Sequence, residues 1–145
     1  GRSIEVPPVA PLRLALAADL AEVARLTEAA DGFATAAGMD KEAVARLLTV
    51  LDETVTNVVM HGRLSEGQRI EVTLASPAAG VVEVAMEDPG PAFDPLANAR
   101  QPELDATLEE RPVGGLGVYL VRQLTTGAAY SRTAQGRNRL TFRVG

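Results

Sequence analysis

Seven apolar residues, Val44, Leu47, Leu48, Leu51, Val55, Val58 and Val59, recur at helical spacing between Asp40 and Gly62. They form one continuous stripe only if the segment is a helix of about six turns, so this element dictates what the rest of the chain must pack against. Asp40 has the side chain of a helix N-cap, and Gly62 is suited to a helix end. Opposite the stripe stand Glu53 and Asn57. They are one turn apart, which puts their Cβ atoms about 6 Å from each other on one face. A carboxylate beside an amide can serve as a base next to a metal ligand, and the same pair also suits a solvated helix face.

A chain of 145 residues, 46% of them hydrophobic, is long enough for one domain with a sizeable core. It has no cysteine, which removes disulfides and thiolate metal sites and agrees with a cytoplasmic location. No apolar run reaches the ~20 residues that span a membrane, and no signal peptide is visible. The start at Gly1-Arg2-Ser3, without Met, reads as a processed or engineered end. A net charge of −5 gives no general attraction to nucleic acid. With 3% aromatic residues and no Trp, stacking platforms for single strands are not expected either.

Residues 1–10 carry Pro7 and Pro8 and read as a loose lead-in to a single domain over residues 11–145. Leu12, Leu14 and Leu16 alternate as a first strand. Asp19 is the expected cap of a helix with the stripe Leu20, Val23, Leu26, Ala30 and Phe33, and Gly38 closes that region. After the long helix and a polar turn at residues 63–67, Ile70, Val72 and Leu74 alternate as a second strand. A turn at residues 77–80 leads to a third strand over residues 81–86, apolar on both faces except at Glu83 and so expected at the centre of the sheet. Residues 89–112 hold five prolines and much charge, as lids and unstructured connections do. A helix is expected from Gly115 to Leu124, then a strand around Tyr130, a turn at Gln135-Gly136, and a last strand with Leu140, Phe142 and Val144. The sum is an α/β two-layer sandwich: a mixed, mostly antiparallel sheet with helices on one face.

Two further stretches bear on chemistry. Asp88-Pro89-Gly90 follows the third strand, where the backbone must turn and Gly90 permits a close approach or a positive φ. Asp88 there can accept from an exocyclic amine or simply shape an Asp-x-Gly turn. Phe93 is expected to pack and Asp94 to cap or turn at the base of a lid over residues 96–113. Gly114, Gly115, Leu116 and Gly117 open a helix, whose free N–H groups attract anions, or form a flexible lead-in to it. Lys41, the only lysine, is outside any Gly-x-x-x-x-Gly-Lys loop, so a P-loop is excluded.

The phrases LDETVTNVVMHG, EDPGPAFDP and RPVGGLGVYLVRQL, in this order over residues 12–144, resemble the three boxes of the histidine-kinase-like ATPases, and most closely the anti-sigma-factor serine/threonine kinases. The resemblance implies a nucleotide held between the long helix, the lid and the sheet. It makes Asp88 the acceptor of the adenine amino group, with Gly90 beside it. It makes Asn57 the ligand of a Mg²⁺ ion bridging the ATP phosphates, Glu53 the general base, and Gly114, Gly115, Leu116 and Gly117 the phosphate-side box. Phosphoryl transfer needs a positioned nucleotide, charge neutralisation and a proton acceptor, and these residue types fit those tasks. Asp52, about 100° round the helix from Glu53, is the weaker base. His61 ends the long helix, where it suits the helix dipole, and no dimerisation helix pair accompanies it as in a sensor kinase. Arg111 can reach phosphates or remain a solvated charge.

The resemblance further implies an anti-anti-sigma protein as substrate, a sigma factor as a second partner, and homodimerisation. Against the kinase stand two other readings. One is a nucleotide-dependent binding switch that transfers no phosphate. The other is the ATPase domain of a larger regulatory protein.

Overall fold

A computed structural model describes residues 9–94, 96 and 115–145. Residues 1–8 of the expected lead-in, Pro95, and residues 97–114, which include Arg111, Gly114 and all of the expected lid but Leu96, lie outside the described residues. The elements in chain order are β1 (Leu12–Ala17), α1 (Ala21–Ala36), α2 (Lys41–His61), β2 (Arg69–Ala78), β3 (Val81–Asp88), α3 (Gly115–Leu124), β4 (Thr126–Arg132) and β5 (Asn138–Val144). The five strands form one sheet in the order β1-β2-β3-β5-β4, which puts β3 at the centre as its composition predicts. The sheet expected to be mixed and mostly antiparallel is antiparallel in each of its four pairings.

Strand alternation decides the layers. Ile70, Val72 and Leu74 of β2, Val82, Val84 and Met86 of β3, and Leu140, Phe142 and Val144 of β5 are all buried, and form one core with the helices. On the other face Glu71, Glu83 and Glu87 meet Arg137, Arg139 and Arg143 in ion pairs. The side chains of α2 that enter the core are Ala43, Val44, Leu47, Val50, Leu51, Thr54 and Val55. Val50 and Thr54 extend the expected stripe, whereas Leu48, Val58 and Val59 lie at its margin.

Caps follow the chemistry of their residues with two departures. Asp40 Oδ1 accepts from Ala43 N–H at 2.8 Å and closes the start of α2. Asp19 Oδ1 accepts from Ala21 N–H at 2.9 Å, but the N-cap position of α1 falls to Leu20, which is 51% exposed instead of joining the stripe. Gly62 ends α2 in a right-handed conformation, with φ −77°, and the left-handed residue is Arg63, with φ 53°. Crowding explains the glycine at 62, since a Cβ there would fall 2.5 Å from Val58 O.

The outer edge of the sheet at β1 is covered from α1. Glu22 Oε1 accepts from Ala17 N–H at 3.0 Å, and Arg25 Nη2 donates to Ala15 O at 2.7 Å. These side chains occupy edge groups that would otherwise recruit another strand.

Candidate nucleotide site

A cleft opens between α2, α3 and the end of the sheet. Thr54, Asn57 and Val58 of α2 form one wall, Val121 of α3 another, and Met86, Asp88, Tyr130, Asn138 and Leu140 of the sheet a third. Phe93 and Leu96 border it. The walls are mostly apolar, as a flat aromatic base requires, and the polar groups concentrate at Asp88, Asn138 and Asn57.

Asp88 is the last residue of β3 and only 6% exposed. Its Oδ1 accepts from Gly90 N–H at 2.9 Å and from Asn138 Nδ2 at 3.0 Å. Its Oδ2 has no hydrogen-bond partner among the described residues. A buried carboxylate oxygen left in this state calls for a donor, and an amine on a ligand in the cleft would satisfy it. Gly90 is there for close approach and not for a positive φ. A Cβ on it would meet Gly62 O at 2.5 Å, Asp88 Oδ1 at 2.9 Å and Leu64 Cδ2 at 3.0 Å. The turn after β3 is therefore pressed against the end of α2 at Gly90, where the absence of a Cβ leaves room for Gly62 O.

Glu53 and Asn57 are both half-buried, so they stand on the flank of the stripe and not on its far side. Asn57 lines the cleft; Glu53, one turn earlier, is outside its lining. Partial burial pushes the Glu53 carboxyl above its ordinary value, and the charge of Asp52 pushes it the same way. Asp52 itself is exposed and accepts from Thr56 Oγ1 at 3.2 Å. A group of three acidic, histidine or cysteine side chains able to hold a metal is absent among the described residues. Asn57 alone offers one amide oxygen, a donor set that suits a Mg²⁺ ion carried mainly by phosphates and water.

Gly115 is the first residue of α3, and Leu116 and Gly117 stand in its first turn, as the glycine box predicts. His61 is the last residue of α2. Asp94 shapes the base of the following segment, its Oδ1 accepting from Leu96 N–H at 2.8 Å. Phe93 departs from expectation: its side chain is 43% exposed and borders the cleft instead of packing away.

Sequence reasoning missed Thr54, Tyr130, Asn138 and Arg132. Asn138 is 7% exposed and stands opposite Asp88 in the β3–β5 register. Its one sequence signal was a polar residue at an inward position of the last strand, in phase with Leu140 and Phe142. Thr54 carried a similar signal, a hydroxyl inside the apolar stripe, and its Oγ1 donates back to Val50 O at 2.8 Å.

Comparison with known proteins bears on the family and the fold. Residues 16–144 match the model of the histidine kinase-like ATPase domain. No curated protein matches the sequence. Among solved structures, the RsbU and RsbW domains of Rv1364c from Mycobacterium tuberculosis match at 18% identity with a TM-score of 0.65, over 94% of this chain and 32% of that one. The chain thus spans about a third of that protein, and the likeness is one of fold. A histidine kinase domain from the Erythrobacter litoralis blue-light activated histidine kinase matches at 18% identity, with a TM-score of 0.48, over 86% of this chain and 59% of that one.

Proposed function

Because the chain belongs to the histidine kinase-like ATPase family, we propose that it is an ATP-dependent serine/threonine protein kinase of the anti-sigma type, acting in the cytoplasm. It transfers the γ-phosphoryl group of ATP to a serine of an anti-anti-sigma partner and can hold a sigma factor in turn. The unit that does this is the single domain over residues 11–145. One observation carries the reading. The half-buried Glu53 carboxyl, with its proton affinity raised, stands one turn from Asn57, and Asn57 lines the same cleft as the buried carboxylate of Asp88.

In this reading Asp88 accepts from the adenine amine, and the apolar walls hold the ring. Asn57 would hold a Mg²⁺ ion through its amide oxygen, and that ion would supply charge neutralisation to the phosphates. The phosphate-side box is Gly114, Gly115, Leu116 and Gly117, of which Gly115, Leu116 and Gly117 offer backbone N–H groups to the phosphates at the start of α3. Glu53 takes the proton of the serine hydroxyl as its oxygen bonds to the γ-phosphorus and ADP leaves. A carboxyl with raised proton affinity is a better base for that step than an ordinary one.

The test is radiolabelled phosphate transfer to the co-purified partner, with ATP titration of each variant. Glu53→Ala is expected to keep ATP affinity and to lose roughly a hundredfold to ten-thousandfold in transfer rate. Asn57→Ala is expected to lose both. Transfer at an unaltered rate in Glu53→Ala removes Glu53 as the base. Tight ATP-dependent binding of a partner without any transfer replaces the kinase with a nucleotide-dependent switch.

A further inference from the structure

The turn at residues 88–91 contains Pro89 and Pro91, which have no N–H, so its own backbone has few means of holding its shape. Side chains from β4 and β5 do this instead. Asn138 Nδ2 donates to Asp88 Oδ1 at 3.0 Å and to Pro91 O at 2.9 Å, with a longer contact to Gly90 O at 3.4 Å. Asn138 Oδ1 accepts from Tyr130 Oη at 2.6 Å, from Phe93 N–H at 3.1 Å and from Arg132 Nη1 at 3.1 Å. Arg132 Nη1 also donates to Gly90 O at 2.8 Å.

Two features of this network matter. The Asn138 amide has only one workable orientation, because Phe93 N–H and Arg132 can only donate while Gly90 O and Pro91 O can only accept. It also has no hydrogen-bonding capacity left for a ligand, although it borders the cleft. Its effect on a ligand must pass through Asp88.

We propose that Tyr130 and Arg132, acting through Asn138, are positioning residues that lock the turn at 88–91 and make the cleft select a 6-amino purine over a 6-keto purine. The inference rests on the nucleotide reading above. With Oδ1 engaged by Gly90 and Asn138, Asp88 meets the base with Oδ2, an acceptor. An amine at ring position 6 satisfies it. A keto oxygen there opposes acceptor to acceptor, and the nearest donor of such a base is the N–H of the adjacent ring atom. A locked carboxylate cannot move to reach that N–H; a loosened one can. Loss of the lock therefore erodes selectivity more than it erodes binding as such.

The experiment uses the full chain and its Tyr130→Phe, Arg132→Met and Arg132→Lys variants, titrated calorimetrically with ATP and with inosine triphosphate. Amide exchange at Phe93 and Gly90 is followed by NMR without nucleotide. The unmodified protein is expected to prefer ATP by about tenfold or more, the worth of one hydrogen bond to a charged acceptor. Tyr130→Phe and Arg132→Met should shrink that ratio by roughly three- to tenfold and speed exchange at Phe93. Arg132→Lys, which keeps a donor for Gly90 O and Asn138 Oδ1, should restore both. An unchanged ratio in folded Tyr130→Phe and Arg132→Met overturns the proposal. If the unmodified protein binds neither triphosphate, the nucleotide reading fails and the selectivity fails with it. Unchanged exchange at Phe93 would then separately overturn the lock.

Discussion

Asp88 and Asn138 are 50 residues apart in the chain and face each other across β3 and β5, joined by a 3.0 Å hydrogen bond from Asn138 Nδ2 to Asp88 Oδ1. The bond divides the labour of one carboxylate. Oδ1 serves the protein, and Oδ2 has no partner among the described residues.

Asp88→Asn is expected to lower ATP affinity by about ten- to a hundredfold, the range for a hydrogen bond to a charged acceptor. Gly90 N–H and the Asn138 amide both donate to this position, so an asparagine would turn its oxygen to them and its NH₂ to the cleft. That puts donor against donor for adenine and donor against acceptor for a keto purine. Titration with ATP and inosine triphosphate should show the preference narrowing or inverting. Equal ATP affinity in both proteins would remove Asp88 from the site.

Gly90→Ala should destabilise the fold by about 1–3 kcal/mol, the usual cost of overpacking. The new methyl would press on Gly62 O, 2.5 Å from an ideal Cβ, and neither backbone has a side chain that can yield. Urea unfolding of the two proteins measures the difference. An unchanged midpoint would mean that the end of α2 and the turn separate at little cost.

Two carboxyls should give stability a pH dependence of opposite sign. Glu22 is held below its ordinary value, first by its hydrogen bond with Arg25 and then by Ala17 N–H. Its contribution is present above the ordinary carboxyl value and is lost as pH falls through the depressed folded value. Glu53 is held above its ordinary value by burial and then by Asp52. Its contribution is present below the ordinary value and is lost as pH rises through the raised folded value. Glu53→Gln should therefore melt at a higher temperature than the unmodified protein at pH 7, with the gap closing below about pH 4. Glu22→Gln should melt lower at pH 7, with its own gap closing under acid. Thermal melts over that range decide both, and a constant gap for Glu53→Gln would show that the glutamate titrates normally.

Leu51→Ala should cost about 2–5 kcal/mol, since Leu51 is fully buried where α2 meets the core. Met60→Ala, one residue from the end of the same helix and 58% exposed, should change stability by no more than about 0.5 kcal/mol. The pair checks by denaturant midpoint which face of α2 carries the fold.

Local chemistry made much of this protein legible in one dimension. The stripe from Val44 to Val55, the cap at Asp40, the alternation in β2 and β5 and the helix start at Gly115 each depend on residues a few positions apart, so periodicity and cap chemistry suffice to find them. The expectations at Glu53, Asn57 and Asp88 had another source, the resemblance of the phrases around them to a family's boxes, since a carboxylate and an amide one turn apart also suit a solvated face and an Asp-x-Gly also suits a plain turn.

Only the tertiary structure decided what depends on distant partners. Asn138, Tyr130 and Arg132 look like ordinary residues of a terminal hairpin, and acquire their role because the β3–β5 register delivers them to a turn 42 to 50 residues earlier. The glycine at 62 reads as a left-handed helix stop, yet its φ is right-handed and what a Cβ there would meet is Val58 O, whereas the glycine at 90 is required because it passes within reach of the Gly62 carbonyl. Leu20 fits the period of α1 but is exposed, because Asp19 accepts from Ala21 N–H and α1 begins one residue later than its cap chemistry suggests. Periodicity tells which face of an element is apolar. It does not tell which other element that face meets, or which polar atoms are left to a ligand once every internal hydrogen bond is made.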